Sequence, residues 1–200
     1  MVMVSSDSPR LRLFIALPLP SEVEQKLGQI VEELRPHGGN VKWAKPGNIH
    51  LTVKFLGDTD ENLVSKISQA IDGVATRSSA ASAVIDTLGG FPNLKRPRVI
   101  WAGASEGIES AGKIAREVDL AMRQLRFEKE KRPFKAHLTL GRVRQGRSVD
   151  ELTGVLQRYR LEPIPLLLDR LTLFKSTLTP TGPIYDILHE APLGRERFEG

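Results

Sequence analysis

The chain has 200 residues, 29 Lys and Arg against 24 Asp and Glu, and no Cys. That length accommodates one sizeable domain or two small lobes sharing a core. Without Cys there are no disulfides, thiolate nucleophiles or Cys-based zinc sites, which fits a cytoplasmic protein.

The first nine residues are polar and Met/Ser-rich, and are expected to be disordered. Leu11–Leu17 reads as a buried strand stopped by Pro18 and Pro20, too short and interrupted for a secretion signal or a membrane span. Ser21 followed by Glu24 resembles a capping box, and Val23, Leu27, Ile30, Val31 and Leu34 recur at helical spacing behind it. After Pro36-His37-Gly38-Gly39, Val41-Lys42-Trp43 leads into a strand, Asn48 to Gly57. Leu63, Val64, Ile67, Ala70, Ile71 and Val74 mark a second helix. Two strands are expected at 83–88, ended by Gly89-Gly90, and at 98–102. Ile108 to Leu125 carries the longest helical stripe, followed by a basic loop and a strand from Lys135 to Arg142. Ser148 and Glu151 suggest a cap for a short helix with Leu152, Val155, Leu156 and Tyr159. Leu166–Phe174 and Ile184–Leu188 then read as a terminal hairpin over 166–190, closed by a Pro/Gly turn, with a tail at 195–200.

Within this order the chain repeats itself. Strand, helix, His-x-Thr strand, helix, strand runs over 11–88 and again over 98–174. Phe14 to His50 is 36 positions and Ile100 to His137 is 37, by subtraction of residue numbers. The expectation is one α+β domain, 10–194, with two pseudo-two-fold-related β-α-β-α-β lobes whose antiparallel sheets line a central cleft.

The repeated motif carries the chemistry. Successive strand residues point to opposite faces, so His50 shares a face with Thr52, and His137 with Thr139. One His-x-Thr match means little, and a lone strand histidine is usually structural; two in matching contexts point to function. Imidazole titrates near neutrality, so one ring can accept a proton while the other donates one. In-line displacement at phosphorus needs that pair on opposite sides, and threonine hydroxyls can hold the oxygens that gain charge. No metal or other cofactor is required by this arrangement, since neither copy carries a carboxylate at ligand spacing. Basic clusters flank both copies: Lys42, Lys45 and Lys54 around the first, Lys129, Lys131, Arg132, Lys135, Arg142, Arg144 and Arg147 around the second. Lys95, Arg96 and Arg98 lie between. Together they favour a polyanion such as RNA as partner.

Both motif copies, together with Arg12-Leu-Phe-Ile-Ala-Leu, Trp43 to Gly57 and Leu171-Thr-Leu-Phe-Lys-Ser, resemble the two-histidine phosphoesterase superfamily. More narrowly they resemble its bacterial and archaeal RNA 2',3'-cyclic phosphodiesterases, historically called 2'-5' RNA ligases. The resemblance spans Arg10 to about Leu193. It implies a bilobal α+β fold and hydrolysis of RNA 2',3'-cyclic phosphate ends to 2'-phosphomonoesters. His50 would protonate the leaving 3'-oxygen and His137 would activate water, with Thr52 and Thr139 on the phosphate. In the family an aromatic residue five positions after the first His and an Arg five after the second also line the site, matching Phe55 and Arg142. Strand parity places both opposite the histidines, so a bulge, twist or strand end has to re-aim them.

Lys54, Arg98 and Lys175 are further candidates for contact with RNA. His37 and His189 read as structural or solvent-facing, and Trp43 and Trp101 as packing residues that could also stack on bases. A monomer is expected. Reversible 2'-5' ligation and a non-catalytic RNA-end-binding module stand as alternatives; the chain has neither a Lys-x-Asp-Gly motif nor a Gly-rich loop ending in Gly-Lys-Ser/Thr.

Overall fold

Hydrophobic residues at all five positions from Leu13 to Leu17 are buried, so this strand is covered on both faces. In the computed structural model, which describes residues 8–45, 47–144, 149–180 and 182–194, the strand is β1 (Arg10–Pro18) near the middle of a four-stranded sheet. The other elements are α1 (Ser21–Leu34), β2 (Val41–Trp43), β3 (His50–Asp60), α2 (Val64–Arg77), β4 (Ala81–Phe91), β5 (Val99–Glu106), α3 (Ile108–Gln124), β6 (Leu138–Val143), α4 (Asp150–Arg158), β7 (Ile164–Leu168), β8 (Arg170–Thr179) and β9 (Gly182–Pro192).

They form two antiparallel sheets, ordered β3-β1-β8-β9 and β2-β6-β5-β4-β7. The α+β fold with two repeated halves and a cleft between sheets is the expected one. Its wiring adds an exchange: β4, last strand of the first half, lies beside β5, while β8 from the second half lies beside β1. Each sheet is therefore composite. One continuous core, from Leu13, Ile15 and Leu17 to Ile100, Leu138 and Leu140, joins both. Among the helices, α2 packs on β8 and β9, and α3 touches β3, β4 and β5.

Several boundaries depart from expectation. Leu166–Phe174 is two strands in different sheets, separated at Asp169, so the terminal hairpin is β8–β9 alone. The charged pair Asp169-Arg170 marks that division, although β7 itself, apolar at its buried and exposed positions alike, shows no alternation to set it apart. Gly89-Gly90 does not end β4, which continues to Phe91. Pro20 occupies the N-cap of α1 with no side-chain cap, leaving Ser21 inside the first turn. The Ser148 cap lies outside the described residues, as do 1–7 and 195–200; Pro9 belongs to the ordered fold, its carbonyl accepting the Glu61 N–H at 3.0 Å. No described helix is long and apolar enough to cross a membrane.

The β5–α3 junction turns at Gly107, with φ of 76° and space for no side chain: an added Cβ would sit 2.1 Å from the Ser82 carbonyl oxygen. Gly107→Ala should therefore destabilise the fold by roughly 2–5 kcal/mol, combining left-handed strain with a backbone clash. Urea unfolding checks this; a midpoint equal to that of the parent would refute it.

Candidate active site

The two motif strands carry the same irregularity. In β3, Val53 is an extra residue between the Ala16–Thr52 and Ile15–Lys54 pairs. In β6, Leu140 is extra between Trp101–Thr139 and Ile100–Gly141. Each bulge directly follows the motif threonine and reverses the alternation beyond it. Phe55 thereby joins His50 and Thr52 on the cleft face, and Arg142 joins Thr139. The re-aiming that strand parity demanded is a bulge in both copies. Gly141 turns inward instead, where a Cβ would meet Val41 Cγ1 at 2.6 Å and Trp43 Cε3 at 2.9 Å.

A cleft of about 470 Å³ opens between the sheets. It is lined by His50, Thr52 and Phe55 from β3, Thr139 and Arg142 from β6, and Arg12, Lys42, Lys45, Asn48, Ser176 and Tyr185 from neighbouring segments. Four of its described lining residues are Lys or Arg, and none is Asp or Glu. Such walls attract an anion and have nothing to repel it. Among the described residues no group of His, Asp or Glu gathers that could hold a metal ion.

His50 sits in an aromatic nest. Its ring stacks on Phe14 at 4.8 Å between centroids, lies 5.9 Å from Phe174 and meets Tyr185 edge-on at 5.3 Å. Desolvation there pushes the imidazole down to about 4, against a hydrogen bond to the Asn48 main chain that favours the charged form. His137 precedes β6, two residues before Thr139, and is not among the residues that line this cleft; it borders a small apolar pocket with Leu51, Ala102 and Leu138. Its Nδ1 lies 2.7 Å from the Lys135 carbonyl, and its ring stands edge-on to Phe91 at 5.0 Å. A carbonyl can only accept, so Nδ1 carries the proton and a neutral ring keeps Nε2 as acceptor. Each histidine is thus oriented by the main chain two residues before it.

The remaining candidates separate clearly. Phe55 is 65% exposed at the cleft mouth. Lys54 is a correction: the Val53 bulge turns it into the protein, where it is 4% exposed and donates to Asp119 Oδ1 at 2.6 Å and the Glu128 carbonyl at 2.8 Å. It cannot touch RNA. Lys175 is half-buried beside Leu13 and Asp186 in register, and Arg98 is exposed at the start of β5; neither side chain lines the cleft. His37 and His189 pair with Glu151 and Asp72, each at 2.7 Å. Trp43 is buried at the cleft floor, and Trp101 lies over Gly89 and Gly103 with its ring 5.2 Å from Phe91. Arg12 and Tyr185 were not singled out from the sequence. Burial raises the Tyr185 phenol, and the guanidiniums of Arg142 and Arg12 partly offset that, which brings the three groups together across the cleft.

Two composite sheets that present matched His-x-Thr strands to an electropositive cleft define a bilobal phosphoesterase fold. The chain belongs to the LigT-like phosphoesterases: the model of the family described as LigT like Phosphoesterase matches residues 17–101, which hold His50, and 103–185, which hold His137. An RNA 2',3'-cyclic phosphodiesterase of Thermotoga maritima is 32% identical over 192 residues, covering 95% of this chain and 97% of the relative. Another, from Archaeoglobus fulgidus, is 35% identical over 176 residues, covering 88% and 96%. Among solved structures, TT0787 of Thermus thermophilus superposes with a TM-score of 0.76 at 27% identity, covering 94% of this chain and all of that one. E. coli LigT complexed with 3'-AMP shares the fold, with a TM-score of 0.73 at 21% identity and coverage of 92% and 98%.

An anion entering the cleft should favour protonated His50. In the free protein the His50 imidazole should titrate near 4, well below its ordinary 6.5, and saturating inorganic phosphate should move that midpoint upward. Two-dimensional NMR of the imidazole resonances checks both; an ordinary midpoint unaffected by phosphate would contradict the burial argument.

Proposed function

We propose that the protein hydrolyses RNA 2',3'-cyclic phosphate ends to 2'-phosphomonoesters without a metal ion, in the cytoplasm and as a monomer. The observation that supports this reading is the pair of bulged His-x-Thr segments, which bring the His50 imidazole, two threonine hydroxyls, an arginine and an aromatic ring to one cation-lined cleft, with His137 two residues before Thr139 at its side. The names of the relatives, RNA 2',3'-cyclic phosphodiesterase, give the substrate class.

In this mechanism Thr52, Thr139 and Arg142 hold the non-bridging oxygens of the cyclic diester, and Phe55 lies against the terminal base. His137, neutral and with Nε2 free, takes a proton from the attacking water. As the P–O3' bond breaks, His50 delivers its proton to the departing 3'-oxygen. Burial keeps His50 neutral in the empty cleft, so its proton must be recruited by the bound anion, whose charge favours the imidazolium. Substrate binding and arming of the acid become one event. The cation-lined walls supply much of the attraction, with the strong salt dependence typical of nucleic-acid contacts.

The decisive assay is incubation, in EDTA, with an oligonucleotide ending in 2',3'-cyclic phosphate, with phosphorus NMR of the product. The product should keep its phosphate on the 2'-oxygen. His50→Ala or His137→Ala should remove most turnover, and each Thr→Ala should cost about 10²-fold, the scale of one lost oxyanion-type donor. A protein that binds the oligonucleotide without turnover would be a binding module instead, and a joined 2'-5' product would mark ligation.

The pH dependence follows from the same pair. The rate should fall at high pH as His50 in the complex loses its proton and at low pH as the base is protonated, giving a bell that reports coupled ionisations of the pair. Rate measurements from pH 4.5 to 9, a span of about two units either side of a histidine's usual range, test this; a single-limbed profile would refute two-histidine catalysis.

A further inference from the structure

Between the end of α3 and His137 the chain has neither helix nor strand. Such a stretch has no ladder of its own to fix it, yet it delivers a histidine whose placement decides the reaction. Its anchors are therefore informative. It leaves α3 through Arg126 in the left-handed conformation, φ of 68°, with the Phe127 N–H bonded to the Met122 carbonyl at 3.1 Å. It ends where the Lys135 carbonyl accepts from His137.

Between those points the main chain is held from below by one side chain of the opposite catalytic strand. Lys54 Nζ donates to the Glu128 carbonyl at 2.8 Å and to Asp119 Oδ1 at 2.6 Å, and the same Asp119 oxygen accepts the Glu130 N–H at 3.0 Å. Lys54 is 4% exposed and Asp119 17%. Burial works against the carboxylate charge, but the hydrogen bonds from Lys54 and Glu130 hold its pKa below the ordinary value. A buried ammonium without those partners is strongly disfavoured, so Lys54 has one place to go. The bulge that turns Phe55 into the cleft is the one that turns Lys54 inward.

We propose that Lys54 is a positioning residue, a strut by which the His50 strand sets the chain segment that presents His137. It touches no reacting atom. Its ammonium gives the Glu128 carbonyl a fixed partner, and through Asp119 it fixes the Glu130 N–H. The two imidazoles are then held relative to each other by a charge pair as well as by the shared core. This inference rests on the two-histidine reading for its kinetic consequence and on geometry alone for its structural one.

The test separates positioning from stability. An apolar pair of similar volume can match a buried ion pair in stability, but it gives the Glu128 carbonyl and the Glu130 N–H nothing to bond. Two variants are needed, Lys54→Met and Lys54→Met/Asp119→Leu. The double variant should regain most of the melting temperature lost in the single one. Its kcat on the cyclic phosphate oligonucleotide should stay about 10–100-fold below the parent, with KM changed less than about threefold, as expected when a catalytic group is misplaced by an ångström or less. Its His137 imidazole NMR signal should shift or broaden while those of His37 and His189 stay put. A stable double variant with parental kcat and an unchanged His137 signal would overturn the proposal. If the parent protein hydrolysed nothing, the reaction assignment would fall, and the His137 signal alone would decide whether the strut exists.

Discussion

A bulge directly after the threonine of each motif governs this candidate active site. A strand without the bulge would present His50, Thr52 and Lys54 together and bury Phe55; the bulge at Val53 exchanges the last two. Leu140 does the same in the second copy, bringing Arg142 to the cleft and sending Gly141 inward. Each exchange has a structural counterpart. Lys54, now inside, is satisfied by Asp119 and the Glu128 carbonyl. Gly141, now inside, leaves room for Val41 and Trp43, where any larger residue would collide. The cleft composition and the packing beneath it are two sides of one backbone irregularity.

The second constraint is the strand exchange. Two separate lobes joined by a linker would let the motif strands drift, and the proposed two-sided acid–base chemistry would tolerate little drift. Because β4 completes the sheet of the second motif and β8 that of the first, neither sheet closes without both halves. The common core then ties them as one body. Asn48 adds a direct tie at the cleft edge, its amide donating to the Pro183 carbonyl at 3.1 Å and joining the β2–β3 connection to the start of β9.

These two constraints differ in how far the chain displays them. The motif repeat, the helical stripes and the nearly equal spacing of the halves were legible because each is a recurring pattern in residue type. The need for re-aiming was legible as a conflict of parity between His50 and Phe55, though nothing at Val53 or Leu140 marks the extra residue. Lys54 was misjudged for that reason: as a basic residue in a motif strand it reads as a substrate contact, and only the bulge reveals its direction. The split of Leu166–Phe174 falls at Asp169-Arg170, but a charged pair within a strand does not tell which sheet each side joins; tertiary pairing sets that. Arg12 and Tyr185 come to the cleft through β1 and β9, far from either motif, and tertiary pairing alone makes them neighbours of Arg142.

Two-fold repetition supplies matching positions, but an acid and a base need unlike environments. The surroundings of the two rings provide that difference. His50 is enclosed by Phe14, Phe174 and Tyr185, which exclude water and penalise its charge. Among the described residues His137 meets one aromatic ring, Phe91, edge-on, and a carbonyl that commits Nδ1 as donor. The equivalent face of the second sheet is occupied instead by Trp101, laid flat over glycines. On the proposed mechanism this asymmetry assigns the roles. The enclosed ring is neutral until an anion arrives and then holds its proton against the leaving oxygen. The other ring keeps a lone pair directed away from its carbonyl partner, available to water. On that mechanism the repeat supplies the two imidazoles, and the different aromatic residues around them make the pair directional.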